Sequence, residues 1–237
     1  MSPESHSLLL VRHAQADWGG ADYDRLSALG MQQAAALAQW LARESGWRPQ
    51  RLVSGPRQRH QLTLQAIRAA LLTACGAAPA IEIARDWDDA DAAALLAAFR
   101  RAQPQAPELA WVAPGASPAQ ARALLTAVFA AWRDGALDTY MPETWAAFAA
   151  RIARARQALT QDDAATDVIV VSSAGAIARC AQAALRLDDA AMVALNIGLD
   201  NTALSEFCAD AGAWQLLRWN CLPHFANGAT RALASTH

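Results

Sequence analysis

The chain has 237 residues, 54% of them hydrophobic and 18% charged, with a formal net charge of −2. That length and apolar content suffice for a full buried core and exclude a disordered chain, while the near-neutral balance gives no global basic field to attract nucleic acid or other polyanions. All 20 basic residues are arginine, which excludes Schiff-base and P-loop lysine chemistry and leaves guanidinium forks or backbone N–H groups to meet any phosphate.

In chain order, "MSPESHS" carries no positively charged n-region, and the apolar run behind it is too short for a signal peptide. "SLLLVRH" reads as a short buried strand ending at Arg12-His13. After the loop "AQADWGGADYDR", a helix is expected from Ser27, as N-cap, to about Arg43, with Gly46 as the stop. "RLVS" is a second strand, turning at Gly55-Pro56 into a helix from about Arg57 to Leu72. "AIEIA" is a third strand, followed by the acidic run "RDWDDAD".

Residues 91–160 read as mostly helical, broken by "AQPQAPELAWVAPGASP" and "DGALDTYMPET". They are expected to form an inserted helical cap within a single domain spanning 1–237. "DVIVVS" returns as a core strand, with a helix from Gly175 to Leu187, and "IGLDNTALSEFCADAGAWQLLRWN" reads as two strands joined near Ala211-Gly212. Alternating strands and helices imply an α/β three-layer sandwich with a mostly parallel central sheet. No apolar stretch approaches the ~18 residues of a membrane span. The four cysteines, Cys75, Cys180, Cys208 and Cys221, form no C-x-x-C pair or zinc spacing. Reduced cytosolic thiols, a cytoplasmic location and no membrane or nucleic-acid partner are therefore expected.

Ligands of open α/β sheets collect at the carboxyl ends of strands. Three such ends carry chemistry here: Arg12-His13, Ser54 to Arg59, and Ser172-Ser173. A histidine at a strand tip beside arginines is a candidate nucleophile facing a dianion clamp, whereas a lone histidine is ordinarily a surface residue. Ser173 fits a hydrolase elbow poorly, since Gly175 follows it but Val171 stands where a second glycine is needed and no histidine adjoins it in sequence.

"LLLVRHAQADW" resembles the Arg-His-Gly strand end of the histidine phosphatase superfamily, the phosphoglycerate-mutase-like fold. "DYDRLSALGMQQAAALAQWL", "VSGPRQRHQLT", "PETWAAFAARI" and "VIVVSSAGAI" are similar to its further motifs and fall in its order along nearly the whole chain. The resemblance implies a phosphatase that hydrolyses a small phosphomonoester through a phosphohistidine, a phosphoric monoester hydrolase with no metal or cofactor. His13 would be the nucleophile, and Arg12 and Arg59, the latter favoured over Arg57 by the spacing, would bind the phosphoryl oxygens. His13 would be neutral, with its other ring nitrogen held by a backbone carbonyl. Asp89 stands at the family's general-acid glutamate, with Asp86, Asp88 and Glu82 as alternatives. Gln15, Trp18, Ser172 and Ser173 would line the substrate site, Trp18 at its mouth.

The chain departs from the family pattern at Ala14, where glycine is usual, and at Ser173, where fuller members carry a second histidine. Losing one transition-state donor typically costs ~10²–10³ in rate, against total accelerations of ~10⁶ or more, so a slow phosphatase remains reasonable. The Ser173 hydroxyl would recover part of the loss. Of the other histidines, His224 reads as structural. His60 adjoins Arg59 on a helix and, about 100° further round, is expected to point away from the site. Two further readings stay open: a catalytically impaired phosphate-ligand-binding or regulatory protein of the same fold, and a phosphoglycerate mutase.

Overall fold

The computed structural model describes residues 6–17, 24–112, 116–161, 167–210, 213–226, 228 and 230–236. Its centre is strand β1 (His6–Arg12), in which Leu8 and Leu10 face one side of the sheet and Leu9 and Val11 the other. All four are at most 2% exposed. A strand covered on both faces reads as a continuous apolar run rather than an alternating one, which is why "LLLV" sits at the middle of the sheet.

Helix α1 (Ala28–Arg43) starts at Ser27, whose Oγ accepts from the Gly30 N–H at 2.9 Å. A Cβ on Gly30 would lie 2.1 Å from the Gln15 carbonyl oxygen, so glycine lets the helix approach the loop behind His13. Strand β2 (Arg51–Ser54) leads into α2 (Gln58–Cys75), which Gly76 ends at φ +74°. Strand β3 (Ile81–Ile83) is followed by a 3₁₀ turn at Arg85–Trp87.

Three capped helices follow. They are α3 (Ala92–Ala102) from Asp91, α4 (Pro118–Arg133) from a Ser117/Gln120 capping box, and α5 (Trp145–Leu159) from Thr144. Strand β4 (Asp167–Ser172) then runs into α6 (Ala174–Leu185), α7 (Asp189–Gly198), β5 (Leu204–Asp210) and β6 (Ala213–Cys221).

The six strands lie in the order β3-β2-β4-β1-β5-β6. The β3-β2, β2-β4 and β4-β1 pairs are parallel, while β5 runs antiparallel to both of its neighbours. Helices α1 and α2 cover the face bearing Leu9, Val11, Leu52, Ile169 and Val171. Helices α3 to α7 share a second core with Leu8, Leu10, Val53, Val168 and Val170 on the other face. The result is an α/β sandwich of three layers. No helix among the described residues is long and apolar enough to cross a membrane.

One expectation fails at the end of the chain. The strand expected from Ile197 begins only at Leu204, because Met192, Val193, Asn196 and Ile197 recur at helical spacing behind an Asp188 cap and form α7. Thr202, at φ +59°, then helps turn the chain into β5. Helix α2 also runs past Leu72 to Cys75, and α6 ends at Leu185 rather than Leu187.

Candidate active site

The strand order places the carboxyl ends of β2, β4 and β1 side by side. Arg12 pairs with Ser172 in register, and the next residue, His13, donates its backbone N–H to the Ser172 carbonyl at 2.9 Å. The His13 ring is buried, with Nδ1 2.7 Å from the Ala14 carbonyl. A carbonyl only accepts, so Nδ1 carries the proton and Nε2 keeps its lone pair. Arg59 Nε donates to that lone pair at 3.2 Å. Burial first, and then the charges of Arg59, His60 and Arg12, holds the His13 pKa well below 6.5, so the ring is neutral. The loop behind it is fixed by hydrogen bonds from Ala14 N–H to Thr63 Oγ1 at 3.1 Å and from Gln15 N–H to Gln33 Oε1 at 2.8 Å.

Arg59 is 3% exposed and engages acceptors with all three of its nitrogens. Besides His13, Nη1 meets Asp24 at 2.7 Å and Nη2 meets Asp89 at 2.8 Å. Arg57 points instead to Asp88, at 2.6 Å. Arg12 donates through Nη1 to the carbonyls of Leu199 and Thr236.

Among the acidic candidates, the structure brings Asp89 to Arg59 and sends the others elsewhere. Asp88 accepts from Arg57 and from the Asp89 backbone N–H, Asp86 pairs with Arg154, and Glu82 is held by Arg51 on the sheet edge. That arginine keeps the Glu82 carboxyl below its ordinary range. Arg151 of α5 supports the segment carrying Asp89. Its Nη1 donates to the carbonyls of Asp86 and Asp88 at 3.0 and 2.9 Å, while Glu143 holds the rest of the guanidinium.

The two serines have different surroundings. Ser172 Oγ donates to the Trp87 carbonyl at 2.7 Å, tying β4 to the turn before Asp89. Ser173 Oγ lies 2.7 Å from His60 Nε2. The Gln15 side chain bonds Ser27 and Ser235. Trp18 lies outside the described residues.

The expectation that His60 points away is overturned. His60 is fully buried, and its ring centroid is 5.5 Å from that of His13. The angular argument applies to groups beside a helix. Here Arg59 and His60 occupy the first turn of α2, whose end abuts the site, so a rotation of about 100° moves a side chain from one wall of the site to another. Gly55 makes the room, since a Cβ there would lie 2.3 Å from His60 Nδ1. Burial, with Arg59 and Arg57 adding to it, holds the His60 pKa well below 6.5. His224 lies apart, with Nε2 2.9 Å from Thr202 Oγ1.

Asp24 also escaped sequence reasoning. Its second oxygen accepts from the Gln58 N–H at 2.8 Å, giving α2 the cap that Arg57 does not provide. An acidic residue before a helix start was the available signal, but the partner helix begins 34 positions later. Among the described residues no group of three or more His, Cys, Asp or Glu is arranged to hold a metal.

A family model described as histidine phosphatase superfamily (branch 1) matches residues 8–81 and 112–222. A comparison with curated protein sequences finds no match. Among solved structures, phosphoglycerate mutase from Bacillus anthracis is 15% identical with a TM-score of 0.65, covering 94% of this chain and 96% of its own. Phosphoserine phosphatase from Entamoeba histolytica, bound to phosphoserine, is 17% identical with a TM-score of 0.60, covering 92% and 98%. A mycobacterial glucosyl-3-phosphoglycerate phosphatase is 22% identical with a TM-score of 0.59, covering 91% and 99%. At these identities the neighbours establish the phosphoglycerate-mutase-like fold.

Proposed function

The chain belongs to the histidine phosphatase superfamily, and from that premise we propose that it hydrolyses a small phosphomonoester through a phosphohistidine on His13. The observation that carries this reading is the state of His13: buried and neutral, its Nδ1–H committed to a carbonyl and its Nε2 lone pair facing a guanidinium. A neutral imidazole with a fixed tautomer is the form that attacks phosphorus.

The ester's phosphoryl group enters against Nε2, and Arg59 turns from its protein acceptors to the phosphoryl oxygens. Arg12, whose charge already acts on His13, adds a second positive charge. Catalysis of this kind rests on positioning and on stabilising charge over three oxygens. The Nε2 lone pair forms the P–N bond as the ester P–O bond breaks, and the Asp89 carboxyl gives its proton to the leaving oxygen. Water then attacks phosphorus, the Asp89 carboxylate takes its proton, and the P–N bond breaks with its electron pair returning to Nε2. Phosphoserine phosphatase, of the same fold, is bound to phosphoserine, which supports a small phosphomonoester as the substrate class.

The test is turnover of an aryl phosphate between pH 5 and 8, with trapping of phosphate on the protein. Turnover above a His13→Ala control, with label lost in that variant, is expected. Equal rates for the two proteins overturn the reading. A second reading, phosphate binding without hydrolysis, is favoured by one observation: Ser173, beyond the end of β4, stands where fuller members of the family carry a second histidine. It requires inorganic phosphate to raise the melting temperature while aryl phosphate goes unconsumed.

A further inference from the structure

We propose that His60 and Ser173 act as one unit, in which His60 holds Ser173 so that the serine hydroxyl donates to the phosphoryl group carried on His13. This rests on the phosphoryl-transfer reading of the same site. Ser173 stands where the family resemblance puts a second histidine, and the structure brings an imidazole to that place from a different element, α2. His13 and Ser173 are the first residues beyond the paired ends of β1 and β4. His60 packs against both, with its ring 5.5 Å from that of His13 and Nε2 2.7 Å from Ser173 Oγ.

Three observations set the direction of the hydrogen bond and what remains for the substrate. First, Ser173 occupies the N-cap position of α6, where a serine ordinarily bonds the backbone of the first turn, yet it makes no such bond. Second, His60 Nδ1 is enclosed against Gly55 and has no hydrogen-bond partner among the described residues. If Ser173 donated to Nε2, Nδ1 would carry a buried N–H with nothing to accept it, a costlier orphan than a bare lone pair. The Nε2–H therefore donates to Ser173 Oγ. Third, the serine proton then has no acceptor among the described residues, which leaves it to meet a phosphoryl oxygen. His60 is thus a positioning residue. The unit presents a neutral donor, and no proton leaves either residue during the reaction.

The test is a double-mutant cycle read by the affinity for vanadate, which adopts the five-coordinate geometry of phosphoryl transfer and needs no turnover. Ser173→Ala is expected to weaken vanadate binding about 10- to 100-fold, the loss of one hydrogen bond to a charged group. His60→Ala should weaken it comparably, and the double variant no more than Ser173→Ala alone. His60→Gln, whose amide N–H can still donate to Ser173, should recover much of the loss, a rescue that a merely structural role would not give. If His60→Ala fails to fold, His60→Leu, which fills the space but cannot donate to Ser173, takes its place in the cycle with the same non-additive outcome expected. Additive losses, affinities within about twofold of wild type for Ser173→Ala, or wild type that does not bind vanadate overturn it. Aryl phosphate turnover against His13→Ala separates the two ideas. Turnover without the vanadate pattern removes this proposal alone, and the pattern without turnover removes hydrolysis alone.

Discussion

At the scale of single residues, the site is dominated by the commitments of one guanidinium. Arg59 touches His13, Asp24 and Asp89 at once, so on the proposed reading substrate entry is an exchange of partners rather than the filling of a bare cation. On the same reading, the exchange leaves Asp89 beside the leaving group. Asp89→Asn keeps the size of the side chain and removes its proton, and general acid catalysis contributes typically ~10²–10⁴-fold. The variant should therefore lose about that factor on an alkyl phosphate, and far less on p-nitrophenyl phosphate, whose leaving group needs no proton. Steady-state rates on the two esters check this. Equal losses on both would remove Asp89 from the acid role.

At the scale of elements, α2 contributes most, since its first turn supplies both Arg59 and His60 and its N-terminus is capped from a distance by Asp24. Helix α5 acts through Arg151, which reaches from Glu143 to the carbonyls of Asp86 and Asp88. These bonds set where the Asp89 carboxyl stands without touching substrate. Arg151→Met keeps much of the apolar stem packed near Phe148 and removes the donors. Displacing a catalytic group by about 1 Å can cost about 10²-fold, so kcat on an alkyl phosphate should fall by about 10- to 100-fold with the His13 site intact. Vanadate affinity near the wild-type value, measured alongside, distinguishes a displaced acid from a collapsed pocket.

At the scale of the whole molecule, three buried imidazoles couple folding to pH. His13 and His60 are held well below 6.5, and burial lowers His224 to about 4. Below pH 6.5 the unfolded chain takes up protons at these positions while the folded chain does not, so stability rises with pH across that window. The contribution is fully present above about pH 6.5 and falls as the solution is acidified toward the folded-state values. Each group contributes at most about 1.4 kcal/mol per pH unit. Urea midpoints at pH 7.5, 6.5, 5.5 and 4.5 should be level over the first pair and then decline steeply. A flat profile down to pH 4.5 would contradict the buried neutral histidines.

The three layers were legible in the residues alone. Apolar runs such as "LLLV" and "VIVV" can satisfy both their side chains and their backbone only as central strands of a covered sheet, and His13 and Ser173 stand at the ends of such runs. The helix α7 escaped because its apolar spacing was masked by the alternation that continues into β5. Who meets whom at those strand ends was set by long-range packing. The contacts of Asp24 with Arg59, of Arg151 with the Asp86–Asp88 carbonyls and of His60 with Ser173 join residues 35, 63 to 65 and 113 positions apart. Local periodicity carries no information at such separations. It gave the angle of His60 about its own helix, while the placement of that helix end against β1 and β4 decided that the ring faces His13.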